Sequence, residues 1–145
     1  AGRQLADSRG DATVELVKGD IFDMPFDEEF DVAACCGAFG HILQHQQVTF
    51  ARQLRKVLKP GGRFIFVTRP MPHLLSPARI ISKTFNAAMH VRNALVDPPF
   101  IMFYLTFTLE RARDVLERHE FDVEARDVFG GTRFSPYRLV VATKR

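Results

Sequence analysis

The sequence predicts an α/β fold: a doubly wound, largely parallel sheet that ends in an antiparallel hairpin. Three observations carry this prediction. Residues 30–36 (FDVAACC) and 63–68 (RFIFVT) are nearly continuous apolar runs, the composition of strands covered on both faces. Between them Phe50, Ala51, Leu54, Val57 and Leu58 recur at helical spacing, and Pro60-Gly61-Gly62 stops the pattern. Near the end of the chain Phe121, Val123 and Ala125 alternate in steps of two, the period of a strand with one face buried.

Taken in order, residues 1–9 read as the tail of an amphipathic helix carrying Leu5 and Ala6, which Gly10 stops. Residues 14–17 are a short apolar run closed by Lys18-Gly19-Asp20 and are expected to form a buried strand, as are residues 30–36. A helix over residues 48–58 and the strand at 63–68 complete a strand–helix–strand unit. Lys59-Pro60-Gly61-Gly62 is a turn, since no phosphate-binding spacing accompanies it. After Pro70, Pro72 and Pro77 the apolar residues Ile81, Phe85, Ala88, Met89 and Leu95 predict a helix over Pro77–Leu95, inserted outside the main alternation. Asp97-Pro98-Pro99 ends it and reads as a loop. Thr108 is the expected N-cap of a helix with Leu109, Ala112, Val115 and Leu116 on one face. Strands at 121–129 and 137–143, joined through Gly130-Gly131, make the hairpin.

With 145 residues, 46% hydrophobic and 26% charged, the chain suits one globular domain. The net charge of +3 is spread along the chain, so nucleic acid is not indicated as a partner. The longest apolar stretch, residues 98–105, is too short to span a bilayer, so no membrane is expected. Adjacent Cys35 and Cys36 are poorly placed to staple a fold, and with no signal-like start the expected compartment is the cytoplasm.

The stretches GDIFDMPF, FDVAACCGAFGHIL and LRKVLKPGGRFIFV, in that order, resemble class I S-adenosylmethionine-dependent methyltransferases, in particular the family of small-molecule enzymes. LKPGG between a helix and an apolar strand is a strong signal when the other two precede it. The resemblance covers nearly the whole chain apart from an insertion around residues 71–102. It implies a Rossmann-like sheet of order 3-2-1-4-5-7-6 and S-adenosylmethionine as cofactor. Residues 1–145 would form a single partial domain, with a helical insertion at about 70–102. No part of the sequence supplies the family's acidic glycine-rich loop or the acidic residue that holds the ribose. The chain therefore resembles the C-terminal part of such a domain, incomplete at its N-terminus. Without that loop and that carboxylate, weak cofactor binding is expected; and since in the family's order the strand at 14–17 would be separated from that at 30–36 by two strands the sequence lacks, so is a homodimer through open sheet edges.

The resemblance also implies roles. Asp20 would accept a hydrogen bond from the adenine amino group, Ile21 would offer its backbone N–H to the ring, and Phe22 or Met24 an apolar wall. The plainer reading is that Gly19-Asp20 is a turn leaving a strand. Cys36, Gly37 and Phe39 follow the central strand, where open α/β sheets bind ligands. The Cys36 carbonyl would meet the methionine amino group, and Gly37 would let the backbone approach. The cysteine sulfurs are expected to be inert core atoms. His41 is a candidate general base for a hydroxyl or amine acceptor, set against a solvated or capping role. Paired with His45 it lacks further metal ligands at the right spacing, so no metal is expected. FIMFYLTF at residues 100–107 reads either as core or as a lid over an apolar acceptor, with Tyr104 as its polar handle. Asp97-Pro98-Pro99-Phe100 matches an amino-methyltransferase signature but comes one strand too late for that role.

The expected activity is methyl transfer to a small-molecule acceptor. Two alternatives stay open: a non-catalytic, self-associating Rossmann-like fragment, and a nicotinamide-dependent oxidoreductase. Against the second, no Tyr-x-x-x-Lys pair occurs and the final hairpin is unexplained.

Overall fold

A computed structural model describes residues 14–145, so the helix tail and Gly10 stop expected before them lie outside the described residues. Strand β1 (Phe30–Cys35) leads through two 3-10 turns into helix α1 (Gln47–Val57), which returns the chain to β2 (Leu58–Thr68), parallel to β1. Helix α2 (Pro77–Leu95) and helix α3 (Leu109–Glu117) follow, and then β3 (Phe121–Arg126) and β4 (Arg138–Lys144). The sheet order is β1-β2-β4-β3, with β4 antiparallel to both neighbours. That is the order of the last four strands in the sheet the sequence resembles.

Local chemistry accounts for the helix boundaries. Ser76 caps α2 by accepting the Arg79 backbone N–H, and Pro77 opens the helix where its missing N–H costs nothing. Thr108 occupies the N-cap position of α3, but its side chain makes no cap bond. Lys59-Pro60-Gly61-Gly62, expected as a turn, lies inside β2 as a bulge: Phe30 pairs with Leu58, whereas Val32 pairs with Arg63. Gly61 takes the left-handed φ of 76°, and a Cβ on Gly62 would come within 2.8 Å of the Lys59 carbonyl oxygen.

One face of the sheet carries the core. Ala33, Phe64, Phe66, Val140 and Ala142 share it by register, and α1 and α3 cover it with Phe50, Leu54, Val115 and Leu116. Phe64 and Phe66 stack at 4.8 Å between centroids, and Phe39 stacks on Phe107 at 4.7 Å. Burying aromatic surface of this size is the main stabilising contribution of the fold. The opposite face, with Val32 and Val67, is exposed. At the base of the sheet the buried Lys144 ammonium donates to Glu28 Oε1 at 2.7 Å and to the Leu58 carbonyl at 2.8 Å.

Four strand expectations need correction, two in kind and two in their bounds. Residues 14–17 form no ladder, and Leu16 is 74% exposed; a run of apolar residues becomes a strand only beside a hydrogen-bonding neighbour, and none lies there among the described residues. The strand expected at 30–36 forms as Phe30–Cys35 but is not buried: among the described residues β1 lies at the edge of the sheet, and Val32 is 53% exposed. The strands expected at 121–129 and 137–143 are Phe121–Arg126 and Arg138–Lys144, because residues 129–137 are taken up by successive turns closed by backbone bonds.

Candidate functional site

The loop that follows β1 divides two clefts. Gly37, at the carboxyl end of β1, has a φ of 77°, and a Cβ placed there would meet nothing within 4 Å, so the backbone faces open space. On one side an apolar cleft of about 340 Å³ runs along the β1 edge, lined by residues including Ile21, Met24, Val32, Cys35 and Ala38. On the other a cleft of about 320 Å³ lies across the ends of β1 and β2, lined by residues including Gly37, Arg69, Ser82, Phe103, Tyr104 and Tyr137.

Asp20, the neighbour of Ile21 at the first cleft, makes a local turn. Its Oδ1 accepts the Phe22 N–H at 2.9 Å, and its carbonyl accepts the Asp23 N–H at 3.1 Å. The turn reading of this segment is thus present in the geometry, and Asp20 remains exposed. Ile21 is exposed beside it and Phe22 packs against the core. Met24 is tied down by a bond from its N–H to Gln53 Oε1 at 3.2 Å.

Cys36 is exposed directly before Gly37, while Cys35 is half-buried. Burial pushes the Cys35 thiol up, which disfavours the thiolate. Phe39 lies in the core, ringed by Phe50, Phe64, Phe66 and Phe107, with one side towards the second cleft.

The chain after α2 is stitched onto this loop. Phe103 N–H donates to the Gly40 carbonyl at 2.8 Å, Thr106 Oγ1 donates to the Phe39 carbonyl at 2.8 Å, and Gln47 Nε2 donates to the Thr106 carbonyl at 2.7 Å. A Cβ on Gly40 would come within 3.1 Å of the Phe103 carbonyl oxygen, so the close approach needs glycine. His41 belongs to the same seam: its Nδ1 lies 2.5 Å from the Ile101 carbonyl and its ring meets Phe100 edge-on at 6.4 Å. A carbonyl only accepts, so Nδ1 carries the proton and Nε2 is left as the acceptor of the neutral ring. His41 lines neither cleft, whereas Tyr104 lines the second, its ring against Phe85 and its backbone clamped by both ends of the Asn86 amide. His45 is exposed.

Sequence reasoning missed Arg69, Ser82 and Tyr137 in the second cleft, and also Gln47, which is fully buried and bridges Thr106 to Arg111. Arg69 carried one usable signal, being the first charged residue beyond the carboxyl end of an apolar strand, where such sheets bind ligands. Gln47 carried none, because its partners are remote in sequence.

Residues 1–66 match the methyltransferase-domain family, a stretch that includes Asp20, Gly37 and α1. A search of curated proteins found no match. Among solved structures, the YcgJ protein from Bacillus subtilis shares 15% identity and a TM-score of 0.63, over 99% of this chain and 76% of that one. An O-methyltransferase family protein from Burkholderia thailandensis shares 16% identity and a TM-score of 0.61, over 90% of this chain and 35% of its own. Human N-acetylserotonin methyltransferase, solved in complex with S-adenosylmethionine, shares 17% identity and a TM-score of 0.53, over 88% and 33%. At these identities the likeness is one of fold, and the chain spans only about a third of the length of the last two. The sequence match to the methyltransferase domain thus covers residues 1–66, somewhat under half of the chain, and the likeness over nearly the whole chain is one of fold.

Proposed function

We propose that this chain takes part in methyl transfer from S-adenosylmethionine to a small-molecule acceptor, with the cofactor at the Asp20–Gly37 side of the β1 loop and the acceptor in the cleft beneath α2. The observation that carries this reading is the Gly37 turn: an open, left-handed backbone position at the carboxyl end of a parallel strand, set between two clefts. Residues present fit the cofactor's chemistry. The Asp20 carboxylate has acceptor capacity beyond its bond to Phe22, Ile21 lies exposed beside it, and the first cleft, which Ile21 lines, has an apolar wall. When bound, the cofactor supplies a methyl group already activated on a sulfonium.

The work left to the protein is then largely alignment. Phe103, Tyr104 and the Gly37–Gly40 loop wall the acceptor cleft, and the hydrogen bonds that join residues 101–106 to that loop hold the walls in register. Orienting two reactants in this way supplies rate without any covalent step on the enzyme. An acceptor hydroxyl or amine must also lose a proton. Tyr104 is a polar side chain at the cleft wall that could receive that proton, whereas His41 is held at the Ile101 carbonyl and lines neither cleft.

Asp20 gives the direct test. Replacing Asp20 with Ala should weaken binding of S-adenosylmethionine by about 1–3 kcal/mol, the usual cost of leaving a hydrogen-bonding partner unsatisfied. Backbone amide shifts followed through a titration measure it even where binding is weak, and unchanged affinity would refute the adenine assignment.

A further inference from the structure

The acceptor cleft has a feature that the methyl-transfer reading does not require. Among the described residues Arg69 is the only charged side chain that lines it; the others are apolar, a glycine or a neutral hydroxyl. No carboxylate among the described residues forms an ion pair with it, although nine such pairs occur elsewhere. Its Nε is buried and has no hydrogen-bond partner. The other buried arginine Nε without a partner belongs to Arg55, whose guanidinium nevertheless pairs with Glu120. Among the described residues Arg69 is therefore a cation in a pocket wall with no carboxylate paired to it.

Its surroundings hold it there. The Arg69 carbonyl accepts the Leu109 N–H at 3.0 Å, and Thr68 Oγ1 beside it donates to the Phe107 carbonyl at 2.6 Å, so the backbone is pinned from α3. The guanidinium lies 6.0 Å from the centroid of the Tyr137 ring, within cation–π range. The carboxylate of Glu110 on α3 accepts instead from the Met71 N–H, at 3.0 and 3.3 Å. Leaving a cation near a low-dielectric wall without a counter-charge is unfavourable, and the loss is recovered when an anion binds.

We propose that this cleft binds a planar aromatic acceptor bearing a carboxylate, with Arg69 as the specificity-determining residue that reads the carboxylate and Phe103, Tyr104 and Tyr137 contacting the ring. A guanidinium presents a flat fork of donors that matches a carboxylate in two parallel hydrogen bonds, which an ammonium cannot do. The cleft, about 320 Å³, is at the lower end of the range for small-molecule sites and suits a single substituted ring.

The inference rests on the acceptor placement above, and its test separates the two. Benzoate and its neutral isostere benzamide are titrated into the whole chain, with S-adenosylhomocysteine titrated separately into the same samples and amide spectra confirming the fold of each variant. Benzoate should bind about ten- to a hundredfold more tightly than benzamide, the range expected of a charge-assisted pair. Arg69→Gln should bring the two probes together while leaving benzamide and S-adenosylhomocysteine unchanged, and Arg69→Lys should restore only part of the difference. Equal binding of the probes, absence of saturable benzoate binding, or a preference that survives in Arg69→Gln would overturn the proposal. A preference for benzoate without any binding of S-adenosylhomocysteine would uphold the Arg69 site and remove the methyl-transfer reading.

Discussion

The two faces of the sheet differ sharply although their sequences look alike. On the covered face Phe64 and Phe66 are 1% exposed, and α1 and α3 press against them. On the other, Val67 from the same strand is 38% exposed and Val32 on β1 is 53% exposed. Both sets come from apolar runs that a doubly wound sheet would bury on both sides. The difference lies in what covers each run, which the run itself does not encode.

The largest effect should follow from deleting bulk on the covered face. Phe64→Ala removes a ring in contact with Phe39, Phe50 and Phe66 and should cost about 3–5 kcal/mol, read from the denaturant midpoint. Val67→Ala, in the same strand on the bare face, should fall within about 0.5 kcal/mol of the parent. Similar losses at the two positions would show that the second face is packed in solution.

A smaller and more specific effect is expected at the β1 edge. An edge strand with exposed apolar side chains is a template for pairing, and we expect the chain to self-associate there. Sedimentation should show a concentration-dependent dimer for the parent and a monomer for Val32→Lys, with thermal stability of the monomer little changed. A parent that stays monodisperse and monomeric across a wide concentration range would rule this edge out as a self-association surface.

The same contrast explains what could be read in advance. The helix at Pro77–Leu95 was legible to the residue, because Pro77 at its start, the apolar spacing within it and Asp97-Pro98-Pro99 beyond its end are local signals. The hairpin was legible from alternation, and its β4 strand lies beside β2 as the resemblance implies. Residues 14–17 misled because apolar composition reports a preference for burial and not the presence of a partner. The bulge in β2 was read as a turn because Pro60-Gly61-Gly62 signals a break without saying whether pairing resumes on the same neighbour. At the site, Gly37 was found through its place after a strand, whereas the seam from Gly40 and Gln47 to residues 103–106 joins segments about sixty apart in sequence, beyond any local pattern.

The central claim, that the β1 loop separates a cofactor side from an acceptor side, is tested most directly by titrating S-adenosylhomocysteine into the isotope-labelled chain and following its backbone amides. Such spectra register weak binding, which is what we expect of this chain. We expect the largest shifts at Ile21, Phe22 and Gly37, smaller ones at Phe103 and Tyr104, and none at Gly61 or in the turns around Gly131. Shifts concentrated in those turns or along α2, with Ile21 and Gly37 silent, would contradict it.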